Sequence, residues 1–395
     1  MLLKPLLLAL SLVLGGAVGR ATPPPSPDKK LQQQAVRTLR AHVLAEAAWA
    51  LQQGPVTVTS SASPRSAGGP HDFFSEGDYW WPDPANPAGP YLQRDGQTNP
   101  ANFVAHRQAM IRLSRIIGAL ASAYKLTGDD RYVRGALVHL RAWFIDAGTR
   151  MNPSLLYAQA ISGRFTGRGI GIIDTIQLME VAQGVLVMQA AKGFDGSDLA
   201  GIKSWFAQYL AWLTTHPYGQ DEMRATNNHG TCWVMQVAAF ARLTGNQELL
   251  GLCRERYKTV LLPTQMAADG SFPQETKRTK PYGYSLFNLD AMAVLCQILT
   301  TTTDNLWVYQ TPDGRGIRKG IEFIYPYVAN KSAWPFAKDV MYWDDWPVAQ
   351  PFLVLGAVQF SNPTWLATWR GLEHAPQVDE VVRNLPVRNP IIWLH

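Results

Sequence analysis

The sequence predicts an all-α fold, an (α/α) toroid or incomplete barrel of about five to seven helical hairpins built as one domain. Three observations point there. Apolar residues recur at helical spacing through most of the chain, and few segments alternate as strands do. A Leu-Thr-Gly corner occurs twice between successive helical stretches, at 126–128 and 243–245, as if one helix–turn–helix device were used again. Helices that pair and recur in this way commonly close into a ring around a central cleft.

The elements follow in order. Leu31 to Gln52 is helical, with Val36, Leu39, Val43, Ala47 and Leu51 near one face, and 60–70 (SSASPRSAGGP) is a loop. Residues 73–100 are rich in aromatics but broken by proline and glycine, so they form an irregular segment that either covers the core or lines a cleft. From His106 a helix runs with Met110, Leu113, Ile117, Leu120 and Tyr124 on one stripe, ending where Gly128 can take a left-handed cap. A second helix spans 131–147. A glycine-rich loop at 162–173 leads into a helix at 174–192 that Asp174 would cap, and another helix covers 197–215. Residues 216–224 read as a loop and 228–243 as a helix, with a further helix from Gln247. Asp269 to Glu275 is a turn, and helices follow at 285–302, 315–329 and 349–360.

Composition narrows the function. The chain has 395 residues, 47% hydrophobic and 17% charged, which is enough for a sizeable core and too apolar for disorder. A net charge of +6 suits an acidic partner, while no Lys/Arg run resembles a nucleic-acid-binding arm. Fourteen Trp and fourteen Tyr offer platforms for the apolar faces of sugar rings, although core filling accounts for most of them. Residues 1–21 read as a secretory signal: Lys4, an apolar run from Leu6 to Ala17, then small residues up to Ala21. The expectation is a periplasmic or secreted protein with no membrane partner once the signal is cleaved. It comprises a lead-in and first helix at 22–70 and the toroid domain at 71–395. Cys232, Cys253 and Cys296 sit in apolar surroundings and are expected to be buried free thiols. No clustered ligand set suggests a metal or cofactor.

The chemistry concentrates in two stretches about fifty residues apart, Asn227-Asn228-His229-Gly230 and Arg278-Thr-Lys-Pro-Tyr282-Gly-Tyr284. Side-chain amides, imidazole, guanidinium and phenol can together neutralise a carboxylate, remove the acidic C–H proton beside it and protonate a leaving oxygen. That set suits β-elimination in a uronic-acid polysaccharide. One Asn of the pair would cap the helix, and His229 lies in its first turn, where the dipole favours anions. Arg278 would lower the Tyr284 pKa, with Tyr282 the rival phenol on the same segment. Substrate-binding candidates are Asn227, Trp80, Trp81, His106, Arg164, Arg168, Glu275 and Tyr282.

These motifs resemble the alginate-lyase superfamily of polysaccharide lyases. The resemblance covers roughly 70–360 and rests on YWWPDP at 79–84, DGQTNP at 95–100, GRFTGRGIGIID at 163–174, NNHG at 227–230 and the Glu275–Arg278–Tyr284 segment. It implies an (α/α) toroid. It also implies that Asn228 with His229 neutralises the substrate carboxylate, that Tyr284 protonates the leaving O4, and that Arg278 tunes it. Better-known members carry His directly after the catalytic Tyr and a slightly longer Arg–Tyr spacing. Here Ser285 follows, which points to a neighbouring lyase family and admits glucuronan or mixed uronans as substrates. Where the C5 proton and O4 share a face, as in mannuronate, Tyr284 can be both base and acid. Where they oppose, as expected for guluronate and glucuronate, His229 is the better base and Tyr284 the acid. Two rivals are a glycoside hydrolase using acids among Asp83, Glu275, Asp344 and Asp345, and a glycan-binding protein without catalysis.

Overall fold

The computed structural model describes residues 26–394; the signal-peptide expectation for 1–21 lies outside them. The helices are α1 (Lys29–Ala50), α2 (Ala105–Thr127), α3 (Asp130–Phe144), α4 (Leu178–Met188), α5 (Gly196–Thr215), α6 (Pro217–Met223), α7 (Asn228–Thr244) and α8 (Gln247–Arg256). After them come α9 (Leu262–Gln265), α10 (Pro273–Thr276), α11 (Pro281–Leu299), α12 (Ile317–Ala329), α13 (Pro351–Gln359), α14 (Pro363–Arg370) and α15 (Asp379–Arg383).

Contacts between the helices run round a ring. An inner set, α2, α4, α7, α11 and α13, packs each on the next, and α1 touches both α2 and α13 to close the circuit. The outer helices α3, α5, α8, α12 and α14 each back onto this set. The sequence explains the division. Every residue of α11 and of α13 is buried, so these largely apolar helices face protein all round and belong inside. In contrast, α1 buries only the stripe Leu31, Ala35, Leu39, Val43, Ala47 and Ala50, and α3 is likewise one-sided. Because α1 contributes to the same continuous core as the rest, the boundary expected near residue 70 marks no division in the packing. Cys232, Cys253 and Cys296 are free and buried. Among the described residues, no single helix is long and apolar enough to cross a membrane.

The two Leu-Thr-Gly corners are the same device. Gly128 (φ +72°) and Gly245 (φ +77°) take the left-handed cap, each returning its N–H to the carbonyl four residues back. Asp129 and Asn246 then cap the next helix with their side chains.

The segment 73–100 carries two short strands that pair with each other, β2 (Trp80–Trp81) and β3 (Leu92–Gln93), antiparallel. A third, β1 (Phe74–Glu76), runs parallel to β4 (Tyr157–Ala160). These two small sheets lay the irregular segment across one mouth of the ring. Three expectations need correction. Asp174 caps no helix: it lies inside the 3-10 stretch Gly169–Thr175 and accepts hydrogen bonds from Ser75 and Gln159. Residues 216–224 are not a loop, because Pro217 fills the first helical position and His216 caps it, giving α6. The helices α14 and α15, beyond the last expected helix, fold the C-terminal segment back toward the ring mouth.

A Cβ at Gly245 would meet nothing within 4 Å, so replacing it tests backbone conformation alone. Gly245→Ala is expected to lower the unfolding free energy by about 1–2 kcal/mol, measured by denaturant melts, with activity retained.

Candidate active site

At the N-terminus of α7, two buried carboxylates from other elements hold the motif residues. Glu222, on α6, accepts a hydrogen bond from His229 Nδ1 at 2.7 Å. A carboxylate only accepts, so the proton of this bond sits on Nδ1, which leaves Nε2 for the cleft that His229 lines. Glu275, on α10, accepts from both the Asn228 backbone N–H and its side-chain Nδ2, each at 2.7 Å. Asn227 stands at the N-cap position but its side chain makes no capping bond. Glu275 satisfies the helix start in its place, which leaves the Asn227 amide free to face the cleft. Burial pushes the Glu275 carboxyl up, while the two Asn228 donors and the Arg278 charge pull it back. Glu275 is fully buried with both oxygens engaged, so it positions Asn228 rather than touching substrate, contrary to expectation.

Tyr284 lies in the first turn of α11, and its hydroxyl shares a 2.7 Å hydrogen bond with that of Tyr79. Arg278 stacks over the Tyr284 ring at 4.8 Å and is bound to Asp95 at 2.8 Å, a residue of the segment that crosses the ring mouth. The expected lowering of the Tyr284 pKa does not prevail. Burial and the nearby Glu380 raise it, and the opposing pull of Arg278 and Tyr79 is the smaller effect. Tyr284 therefore rests as a neutral phenol. Behind both tyrosines Lys280 forms a buried ion pair with Glu380 and faces the Tyr79 and Tyr284 rings at 4.8 and 5.2 Å.

Beneath this layer is a buried charge cluster. Asp78 accepts two hydrogen bonds from Arg107 at 2.7 and 3.0 Å and pairs with Arg383 at 2.6 Å. Burial opposes the Asp78 charge, yet the two guanidinia hold its carboxyl well below the usual range.

The cleft encloses about 440 Å³, and Asn227, Asn228, His229, Tyr284, Trp80 and Arg168 all line it. Arg168 donates to the Gln159 carbonyl and to its side chain, and it has no carboxylate within ion-pair distance among the described residues. The other two cleft guanidinia, Arg278 and Arg383, are already paired. Gln159 itself sits at φ +48°, fixed by Ser75 and Asp174, a strained conformation at the cleft wall.

Several expected substrate contacts lie elsewhere. Successive strand residues point to opposite faces, so Trp80 faces the cleft while Trp81 bonds the Gln97 carbonyl and packs under Arg94. Arg164 stacks on Trp80 at 5.5 Å but lies in an outer surface groove. His106 is buried, accepting from the Phe74 N–H and bonding the Ser61 carbonyl, so both ring nitrogens are spent on fold. Tyr282 is fully buried against Trp334 and Trp343, with its hydroxyl on the Tyr327 carbonyl. Four site residues escaped the sequence reading: Glu222, Tyr79, Lys280 and Gln159. Of these, only Lys280 and Tyr79 carried a local signal, sitting inside motifs already singled out.

Comparisons with known proteins agree with this geometry. The family model described as alginate lyase matches residues 57–334. A crystal structure of an alginate lyase from Bacteroides ovatus superposes with a TM-score of 0.80 and 31% identity, covering 92% of this chain and 96% of the other. Alginate lyase A1-III from Sphingomonas species A1 superposes with a TM-score of 0.55 and 16% identity, covering 82% of this chain and 89% of that one, a likeness of fold alone. No curated protein matches. With most of its length matched by the family model and by a relative of this similarity, the chain belongs to the alginate-lyase family and is a polysaccharide lyase.

Proposed function

We propose that this lyase cleaves a uronic-acid polymer, alginate, glucuronan or a related chain, by metal-independent β-elimination that leaves a C4=C5 unsaturated uronate end. The observation that carries the reading is the convergence on one cleft of a carboxylate-oriented imidazole, a neutral buried phenol and a guanidinium without a carboxylate partner. The substrate carboxylate sits against Arg168 and the Asn227 and Asn228 amides. These donors stabilise the charge that builds on it as the C5–H bond breaks, and no metal is called on for that role. His229 Nε2 takes the C5 proton. The C5–H electrons form the C4=C5 bond, the C4–O4 bond breaks, and the Tyr284 O–H gives its proton to O4. Arg278, over the ring, stabilises the phenolate that results. Tyr79 holds the hydroxyl in line, and after product leaves solvent water takes the proton from His229 Nε2 and returns one to the Tyr284 oxygen.

A phenol pushed up by burial stays protonated and so enters the reaction as the proton donor rather than as the base, and this division of labour favours substrates whose C5 proton and O4 lie on opposite faces, as in guluronate. Glucuronate, expected from the sequence to group with guluronate, is the C2 epimer of mannuronate and shares its configuration at C4 and C5, so both require syn elimination. The export expected from residues 1–21 fits action on an external polymer. The hydrolytic alternative lacks a pair of free acids in the cleft: Glu275 is bonded to Asn228, Asp83 accepts from the Ala85 N–H and does not line the cleft, and Asp344 and Asp345 stand exposed at a surface turn.

Ultraviolet absorbance of the new double bond checks the roles. Tyr284→Phe is expected to lower the rate on every uronan by about 10²–10⁴, the usual worth of a placed proton donor. His229→Ala should cost more on polyguluronate than on polymannuronate; equal losses would demote His229 to a positioning group. Glu222→Gln, which no longer enforces the Nδ1–H tautomer, is expected to lower kcat by roughly 10² with little change in KM.

A further inference from the structure

On the far side of the Asp78–Arg383 pair lies a second cavity of about 730 Å³, larger than the reaction cleft. It opens between α1, α2 and the C-terminal segment from His374 to Asn389. Asp78 and Arg383 line both spaces, so a wall one ion pair thick separates them.

The charge around this cavity is unbalanced in one direction. Its inner carboxylates are already occupied: Glu46 by a two-pronged bond to Arg115, Asp78 by Arg107 and Arg383, and Glu380 by Lys280. Asp379 stands exposed at the rim. Two guanidinia remain without a carboxylate within ion-pair distance among the described residues. Arg112 donates only to the Gly54 carbonyl and the Gln53 side chain, and the Arg388 side chain only to the Ile111 carbonyl. Half-buried Trp49 and Tyr342 add aromatic surface. Cationic forks beside aromatic rings, in a polar cavity of oligosaccharide size, are the chemistry that holds an acidic sugar.

We propose that this cavity is a second binding site for an acidic oligosaccharide, separate from the reaction cleft, with Arg112 and Arg388 receiving uronate carboxylates. It retains a neighbouring stretch of the polymer while the cleft cuts. The proposal rests on the uronan reading of the cleft, and the test separates the two.

Calorimetric titration of the Tyr284→Phe protein with a uronate trisaccharide, and with a neutral trisaccharide as control, should show two binding events for the uronate and none for the control. Arg112→Glu in that background should weaken one event about tenfold or more and spare the other, while Arg112→Lys restores it. In the otherwise native enzyme, Arg112→Glu should leave turnover of short oligouronides unchanged and raise KM for the polymer about fivefold or more at constant kcat. An unchanged melting temperature excludes a folding defect, and Arg112→Ala serves as the milder variant should Arg112→Glu unfold. A single binding event, or two events and a polymer KM indifferent to Arg112, in a protein that still turns over uronan, overturns the second site alone. Absence of both binding and turnover on every uronan overturns the cleft reading as well.

Discussion

The site depends on the Asp78 carboxylate and the two guanidinia it shares. Asp78 comes from the segment across the ring mouth, Arg107 from the first full turn of α2, and Arg383 from the last helix of the chain. One buried ion cluster therefore ties together parts of the sequence some three hundred residues apart. Removing one member of such a buried set typically costs about 3–5 kcal/mol, because the remaining charges lose their partner in a place water does not reach. The same cluster floors the reaction cleft, borders Lys280 through Glu380, and walls off the second cavity. Fold closure and site geometry are thus one constraint: the ring mouth holds its shape only while the C-terminal segment is docked.

Around that floor a single pattern repeats. Four of the polar groups given a part in the proposed reaction have a carboxylate behind them: Glu222 behind His229, Glu275 behind Asn228, Asp95 behind Arg278, Glu380 behind Lys280. The carboxylates fix tautomer, rotamer and charge before substrate arrives, so little reorganisation is left to the reaction itself. Arg168 breaks the pattern. It is held by neutral groups of Gln159, so its charge is left for an incoming anion. Burial meanwhile keeps Tyr284 protonated, which suits it to give a proton.

Much of this was legible in the sequence. The helical stripes, the two Leu-Thr-Gly corners and the run of core helices placed the ring. The Asn227–His229 and Arg278–Tyr284 stretches marked the cleft because amide, imidazole and phenol side chains stood together at helix starts. What stayed hidden was long-range. Glu222 looked like part of a loop, since a seven-residue helix opened by Pro217 has too few turns to show periodicity. Glu275 was legible as polar and near the site, but only the fold shows its oxygens spent on Asn228. The sign of the Tyr284 shift turned on burial, which the sequence near Arg278 does not report. Trp81, His106 and Tyr282 carried the right chemistry and faced the wrong way, a matter of strand alternation and core packing.

The most direct measurement is mass spectrometry of the end products from a purified uronan digested in ¹⁸O-labelled water. β-Elimination predicts that every new non-reducing end is dehydrated and carries no label at the broken linkage. Saturated products that each gain one labelled water would mean hydrolysis, and would contradict the roles given to His229 and Tyr284.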